Sequence, residues 1–157
     1  MGAYADYLRW LYRGGRPNLF ARLQNRASAW AFAAGILPGR CAELRVQGRR
    51  TGRVISFPVV IANYDGGRYL VSMLGDEVNW VRNVRAAHGA AVLVHGRREE
   101  IRLEEVSVPE RPPILRQYLR AAPGARPHIP VTPQAPLADF ERVSKDYPVF
   151  RIRAAAA

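Results

Sequence analysis

From Met1 to Ala34 the apolar residues recur at intervals of three and four, and from Cys41 onward they recur at every second position. The first spacing is that of a helix and the second that of a strand. Tyr4, Leu8, Leu11 and Tyr12 share one side of an amphipathic helix over residues 1–13. Gly14-Gly15 breaks it, and Pro17 suits the first turn of another helix. That second helix carries Leu19, Phe20, Leu23, Ala27, Trp30, Ala31 and Ala34, and Gly35 ends it. Strands are then expected near 41–47, 54–63 and 68–74, with Asp65-Gly66 as the hairpin turn between the last two. GDEVNWVRNVRAAHG (75–89) reads as a helix with its acidic residues early and arginines late, as the helix dipole prefers. Its apolar stripe includes Val81 and Val84, with Trp80 beside them.

Ala90–Val94 and Glu100–Val106 form a further hairpin through His95-Gly96. Ser107 to Glu110 is a capping-box pattern opening a helix with Ile114, Leu115, Tyr118 and Leu119. A proline-rich connection (123–136), a short helix and a closing strand, YPVFRIR, complete the chain. The pattern contains no internal repeat. It predicts the α+β class: a small, mostly antiparallel β-barrel with N-terminal and peripheral helices packed outside it. At 157 residues the expectation is a single domain, 1–157, with N-terminal helices over 1–39 and the barrel core over 40–157.

Composition narrows the setting. The one thiol, Cys41, excludes an internal disulfide and a multi-cysteine zinc site, and fits a cytoplasmic location. Asp6 and Arg9 interrupt the first apolar segment, where a secretory signal would be unbroken. The most apolar stretch, 27–37, is about half of the ~20 residues needed to cross a bilayer. The expected membrane contact is therefore limited to peripheral association through the N-terminal helix. A net charge of +11 admits nucleic acid, an anionic membrane surface or a polyanionic small ligand as partner. Lys145 is the only lysine, so arginine carries the charge. GC-rich coding, which also favours Ala, Gly and Pro, inflates arginine everywhere; it does not explain the cluster Arg49, Arg50 and Arg53.

That cluster lies in GRRTGRVISFP, residues 48–58. A Walker loop needs GxxxxGK[ST] running from strand to helix, and the GxGxxG dinucleotide fingerprint fails on the same grounds. What remains is a glycine-flexed turn between two strands with backbone donors, the Thr51 hydroxyl and guanidinium groups. Such a turn either holds a phosphate or is a solvated hairpin tip. Aromatic residues are not interleaved with the arginines as base-stacking platforms, so no nucleic-acid partner is expected.

Other chemistry is sparse. His88, His95 and His128 lack metal-ligand spacing, and no metal is expected. Ser72 lies in a predicted strand without a GxSxG elbow, which argues against a hydrolase triad. Glu99, Glu100, Glu104 and Glu105 alternate with apolar residues as the wet face of a strand does. Tyr118 and Tyr147 are either packing residues or proton donors, and with Ser72 they are the candidates for catalysis. Trp80 and Asn83, three apart on one helix, project to nearly the same side, and core packing alone accounts for Trp80.

Taken in order, GRRTGR, Pro58-Val59, the DGGRY hairpin, Ser72, NWVRNVRA and the terminal YPVF resemble the deazaflavin-dependent nitroreductase family. That family's pattern is roughly GR[KR][ST]G, a Pro-Leu in the next strand, a DG hairpin and a W-x-x-N-L-x-A helix. The likeness is best over residues 40–106, and its specificity lies in the order and spacing of the motifs. It implies a split β-barrel related to that of FMN-binding oxidases, and coenzyme F-420, an 8-hydroxy-5-deazaflavin with a phosphate and an oligoglutamate tail, ahead of FMN. Carried over residue by residue, it assigns the phosphate and glutamates to Arg49, Arg50, Thr51 and Arg53. Pro58 and Val59 would lie along the ring, Ser72, Met73, Leu74 and Gly75 would line its polar edge, and Trp80, Asn83 and Arg85 would close the tail side. The implied activity is hydride transfer to a quinone- or nitroaromatic-like acceptor, with solvent or a phenol protonating the product. A barrel that holds cofactor or lipid without turnover is the alternative. The chain departs from the family in carrying Arg50 where lysine is common and in lacking a proline before Trp80. A Pro-rich segment stands where nitro-drug-reducing members have tyrosines.

Overall fold

The computed structural model describes residues 40–156, so both expected N-terminal helices lie outside the described residues. The elements are β1 (Cys41–Gln47), β2 (Val54–Val60), β3 (Ala62–Tyr64), β4 (Gly67–Val71), α1 (Asn79–Ala86), β5 (Ala90–His95), β6 (Arg97–Glu105), α2 (Arg111–Ala121), α3 (Leu137–Val143) and β7 (Val149–Ala154).

The seven strands form one sheet in the order β2-β1-β5-β6-β7-β4-β3, and every neighbouring pair is antiparallel. Its two edge strands, β2 and β3, are separated in sequence by Ile61 alone. A flat sheet of this width would hold its edges roughly 29 Å apart at about 4.8 Å per strand. The chain from Val60 to Ala62 spans at most about 7 Å. The sheet therefore curls until its edges meet, which is the split barrel. The Ile61 N–H donates to the Arg40 carbonyl at 2.6 Å at this corner. The single strand expected over 54–63 is thus two strands: the chain changes sheet edge at Ile61, and alternation of side chains does not register such a change.

Asp65 and Gly66 both have positive φ, 46° and 74°, as the tight turn between β3 and β4 requires. The expected strand over 68–74 ends at Val71, and Ser72 to Gly75 form a turn instead. The helix expected over 75–89 is shorter. Val78 is extended (φ −73°, ψ 149°), so α1 begins at Asn79 and leaves Asp76 and Glu77 in the preceding loop. Their carboxylates meet Arg85 and Arg82 directly rather than facing the helix dipole. The capping box also takes another form. The Ser107 hydroxyl pairs with the Glu110 carboxylate, no side chain caps the backbone, and a 3-10 turn over Val108–Glu110 leads into α2.

Alternation along the strands sorts the core into two layers. Leu44, Val46, Leu70, Leu93, Ile101, Leu103 and Phe150 fill the barrel, joined by Val81 and Val84 from α1. Trp80 packs tilted against Phe57 and Phe150, with ring centroids 5.8 and 5.5 Å away. On the outer face Ala62, Tyr69, Val71 and Val149 pack beneath Ile114, Leu115 and Leu119 of α2 and Phe140 of α3. Each large side chain so buried contributes about 1.5–3 kcal/mol, enough to fix α2 and α3 on the sheet. No helix among the described residues is long and apolar enough to cross a membrane.

Candidate functional site

The β1–β2 hairpin tip carries the arginine cluster. The Gly48 N–H donates to the Arg53 carbonyl at 2.8 Å, and the Gly52 N–H donates to the Gly48 carbonyl at 2.9 Å. Gly52 has φ +71°, a backbone that glycine adopts without strain. A Cβ at Gly48 would lie 3.1 Å from the Arg53 carbonyl oxygen, so a side chain there would push the turn open by a few tenths of an ångström. The Thr51 Oγ1 accepts from the Arg53 N–H at 3.3 Å, and so braces the turn from within.

The tip docks on α1 through Arg49. Its N–H and Nη1 both donate to Asn83 Oδ1, at 3.2 and 2.8 Å, and its Nη2 donates to Asn79 Oδ1 at 3.4 Å. Asn83 is buried, 3% exposed, and faces the hairpin because Val81 and Val84 hold the adjoining side of α1 in the core. Amide oxygens leave the Arg49 charge unneutralised. Arg50 and Arg53 are exposed and, among the described residues, neither guanidinium has a hydrogen bond or a carboxylate partner. The N–H groups of Arg50 and Thr51 are likewise unpartnered among the described residues, whereas those of Gly48, Arg49, Gly52 and Arg53 are used within the protein.

Arg85, grouped with the cofactor residues by family resemblance, is placed differently. Its Nε and Nη2 donate to the two carboxylate oxygens of Glu105, at 3.0 and 2.7 Å, and Nη2 also donates to Asp76 Oδ1 at 2.7 Å. The Glu105 and Asp76 hydrogen bonds raise its pKa, and the Arg85 hydrogen bond holds the Asp76 carboxyl below the usual carboxylate range. Two carboxylates of the protein thus answer its charge through Nε and Nη2, and Nη1 has no partner among the described residues. Arg111, which no motif singled out, completes the cluster. It is 6% exposed, and its Nη2 donates to Glu105 Oε1 at 3.3 Å. Its other donors reach the Val106 carbonyl at 2.9 Å and the Ser144 carbonyl at 3.0 Å, with Tyr147 O at 3.5 Å. The available signal was a cation at the first position of a helix, where the dipole disfavours it.

An open cleft of about 270 Å³ lies between Met73, Leu74 and Gly75 on one rim and His128, Asp146 and Tyr147 on the other. Gly75 has φ +97°, and a Cβ there would lie 3.5 Å from the Asp146 carbonyl oxygen. Ser72 is not on its lining. It is 1% exposed, donates its N–H to the Pro148 carbonyl at 2.9 Å, and donates Oγ to the Gly75 carbonyl at 2.6 Å. Its hydroxyl shapes the turn. Tyr147 is on the lining, and its hydroxyl donates to the His128 carbonyl at 2.9 Å. Burial, reinforced by Asp146, pushes its pKa up. Tyr118 is packed inside the outer core, 5% exposed, where burial pushes its phenol far above the usual range. Of the phenols singled out from sequence, Tyr147 is the one at a cleft. Pro58 and Val59 face opposite sides of β2: Val59 packs on the barrel interior opposite Ala42, and Pro58 stands opposite Glu43.

The family model for F-420H(2)-dependent quinone reductase matches residues 23–128. A comparison with curated proteins finds no match. Among solved structures, one described as a domain-swapped dimer aligns with a TM-score of 0.54 and 15% identity, covering 94% of this chain and 98% of its own. An F-420-H2 dependent reductase (FDR-A) aligns with a TM-score of 0.50 and 17% identity, covering 73% of this chain and 95% of its own. A heme binding protein from Mycobacterium smegmatis aligns with a TM-score of 0.52 and 16% identity over 81% of this chain and 51% of its own. At such identities the structural likenesses establish the split-barrel fold. The family match spans more than half of the sequence, from ahead of β1 to the His128 rim of the cleft: the chain belongs to the F-420H(2)-dependent quinone reductase family.

Proposed function

We propose that this protein is an oxidoreductase that binds coenzyme F-420 by its anionic tail and passes hydride from the reduced ring to a flat, quinone-like acceptor. The observation that carries the reading is the state of the 48–53 hairpin: Arg50 and Arg53 project without carboxylate partners among the described residues, beside the unpartnered Arg50 and Thr51 N–H groups. Forked guanidinium donors and turn amides suit a phosphate followed by glutamate carboxylates. The donor set therefore fits the tail of this cofactor. Arg49 adds charge while its contacts to Asn83 and Asn79 keep the hairpin on α1.

When bound, the reduced deazaflavin supplies the hydride. The protein's part is to bind, orient and exclude water. α1 meets the arginine hairpin through Asn83 and the cleft loop through Arg85 and Asp76, so one helix carries both halves of the site. Met73, Leu74 and the Tyr147 ring give a partly polar cleft its apolar contacts for a flat acceptor, and solvent, or the Tyr147 hydroxyl once it leaves the His128 carbonyl, can return a proton to the product.

Fluorescence titration with oxidised coenzyme F-420, against FMN, heme, a fatty acid and duplex DNA, tests the first half. Loss of the reduced cofactor's absorbance with menadione, with a polar carbonyl compound, and with NADPH as control donor tests the second. Preferential F-420 binding and faster menadione reduction are expected. Tight binding with no acceptor reduced would move the reading to the non-catalytic barrel, and robust NADPH turnover would sink it.

A further inference from the structure

The two rims of the cleft come from segments more than fifty residues apart, and one continuous run of contacts ties the 73–75 rim to the Asp146–Tyr147 side of the other. Asp76 directly follows Gly75 on the first rim and accepts from Arg85 at 2.7 Å. Arg85 is forked onto Glu105 at the end of β6, and Glu105 accepts from Arg111 at 3.3 Å. Arg111 then donates to the Ser144 and Tyr147 carbonyls of the second rim, at 3.0 and 3.5 Å. The rims also approach closely, since a Cβ at Gly75 would stand 3.5 Å from the Asp146 carbonyl oxygen.

A guanidinium is costly to place here: Arg111 is 6% exposed at the first position of a helix, where desolvation and the dipole both disfavour a cation. Removing it alone is costlier still, because the Val106 and Ser144 carbonyls and Glu105 lose their donor. What an apolar side chain lacks is several directed donors that fix the spacing of separate segments. We infer that Glu105 and Arg111 are positioning residues that set the width of the cleft, and through it the preference for a flat acceptor. The inference rests on the proposed reading in one respect, that the acceptor occupies this cleft.

Arg111→Lys and Glu105→Gln, each in the full chain, test it; the second keeps side-chain shape should the first fold poorly. Hydrogen exchange on the unliganded chain gives a readout independent of turnover. Amides of 72–76 and of 144–147 should loosen together in both variants, while those of β1 and β5 keep wild-type protection. Menadione affinity, titrated without turnover, should fall about tenfold, and affinity for oxidised F-420 should fall less, because its anionic tail is held at the 48–53 hairpin. In steady state the loss should appear in KM for menadione rather than in kcat. Rims that exchange as in wild type, only one rim loosening, or menadione affinity unchanged in both variants would overturn the inference and leave the proposed function standing. Wild-type protein that binds neither ligand would sink the proposed function. Coupled loosening of the rims would then still support the role in cleft width, and uncoupled loosening would overturn it.

Discussion

The hairpin arginines and the pair Arg85 and Arg111 are the same residue type in opposite electrostatic states. Arg50 and Arg53 stand exposed without carboxylates among the described residues, on a tip tied to α1 by Arg49. Arg85 and Arg111 share Glu105, with Asp76 and backbone carbonyls accepting from them as well. An arginine is available to an anionic ligand when the protein has left its charge unanswered, and clustering in sequence is a poor guide to that. Arg85 sits in a motif helix yet its charge is answered by carboxylates of the protein, while among the described residues those of Arg50 and Arg53 are not.

The largest test of this contrast is in stability. Arg111→Met should cost about 3 kcal/mol, because the Ser144 and Val106 carbonyls lose their donor and Glu105 loses one of two cations. Arg50→Ala should stay within about 0.5 kcal/mol of wild type, as surface changes without partners do. Urea unfolding of both measures the gap, and equal losses would erase the distinction.

In ligand affinity the order reverses. Arg50→Ala combined with Arg53→Ala should weaken binding of oxidised F-420 by roughly 2–4 kcal/mol, at about 1–2 kcal/mol per charge-assisted contact. Wild-type affinity should fall with added salt, since these charges are exposed. An affinity unchanged within threefold in the double variant means that the phosphate is not held there.

Asn83 joins the two regions, and its substitution sharpens the boundary between them. Asn83→Ala strands the Arg49 N–H and guanidinium, so it should cost about 1–2 kcal/mol in stability as well as cofactor affinity. From sequence alone an effect on affinity with little change in melting temperature is the expectation; the buried amide revises it. Asn83→Asp keeps the acceptor and should recover most of the stability. If Asn83→Ala melts like wild type, the hairpin does not depend on α1 for its position.

How much of this was legible in the sequence depends on the range of each interaction. β1, the Asp65-Gly66 turn, the Val81 and Val84 face of α1 and the apolar side of α2 are set by local spacing, and the pattern places them. The arginine hairpin was legible because its glycines and charges are consecutive. The switch of sheet edge at Ile61 was not, because closure of a barrel leaves no mark on alternation. Nor was the pairing of Arg85 with Glu105, twenty residues away, or of Arg111 with carbonyls more than thirty residues away. Backbone carbonyls carry no sequence signature, so a side chain that binds them looks like any surface arginine until the fold is known.

The smallest effect expected is a dependence on pH that one region shows and the other does not. The hydrogen bond from Arg85, with the charges of Arg85, Arg111 and Arg82 behind it, outweighs burial and holds the Asp76 carboxyl below its ordinary value. A carboxylate with a depressed folded pKa stabilises the fold fully above its unfolded pKa, near 3.9, and loses that contribution as pH falls through the folded value. The Asp76 side chain is 47% exposed, so solvent screening keeps the contribution small. Asp76→Asn should therefore differ from wild type by a constant amount from about pH 7 to pH 5, and the difference should shrink below about pH 4. Arg50→Lys, which keeps its charge and has no carboxylate partner among the described residues, should keep one offset over the whole range. Urea unfolding of the three proteins at half-unit steps resolves the two behaviours. A difference for Asp76→Asn that ignores pH would show that Arg85 is not held by Asp76, and would leave Glu105 alone to account for its pairing.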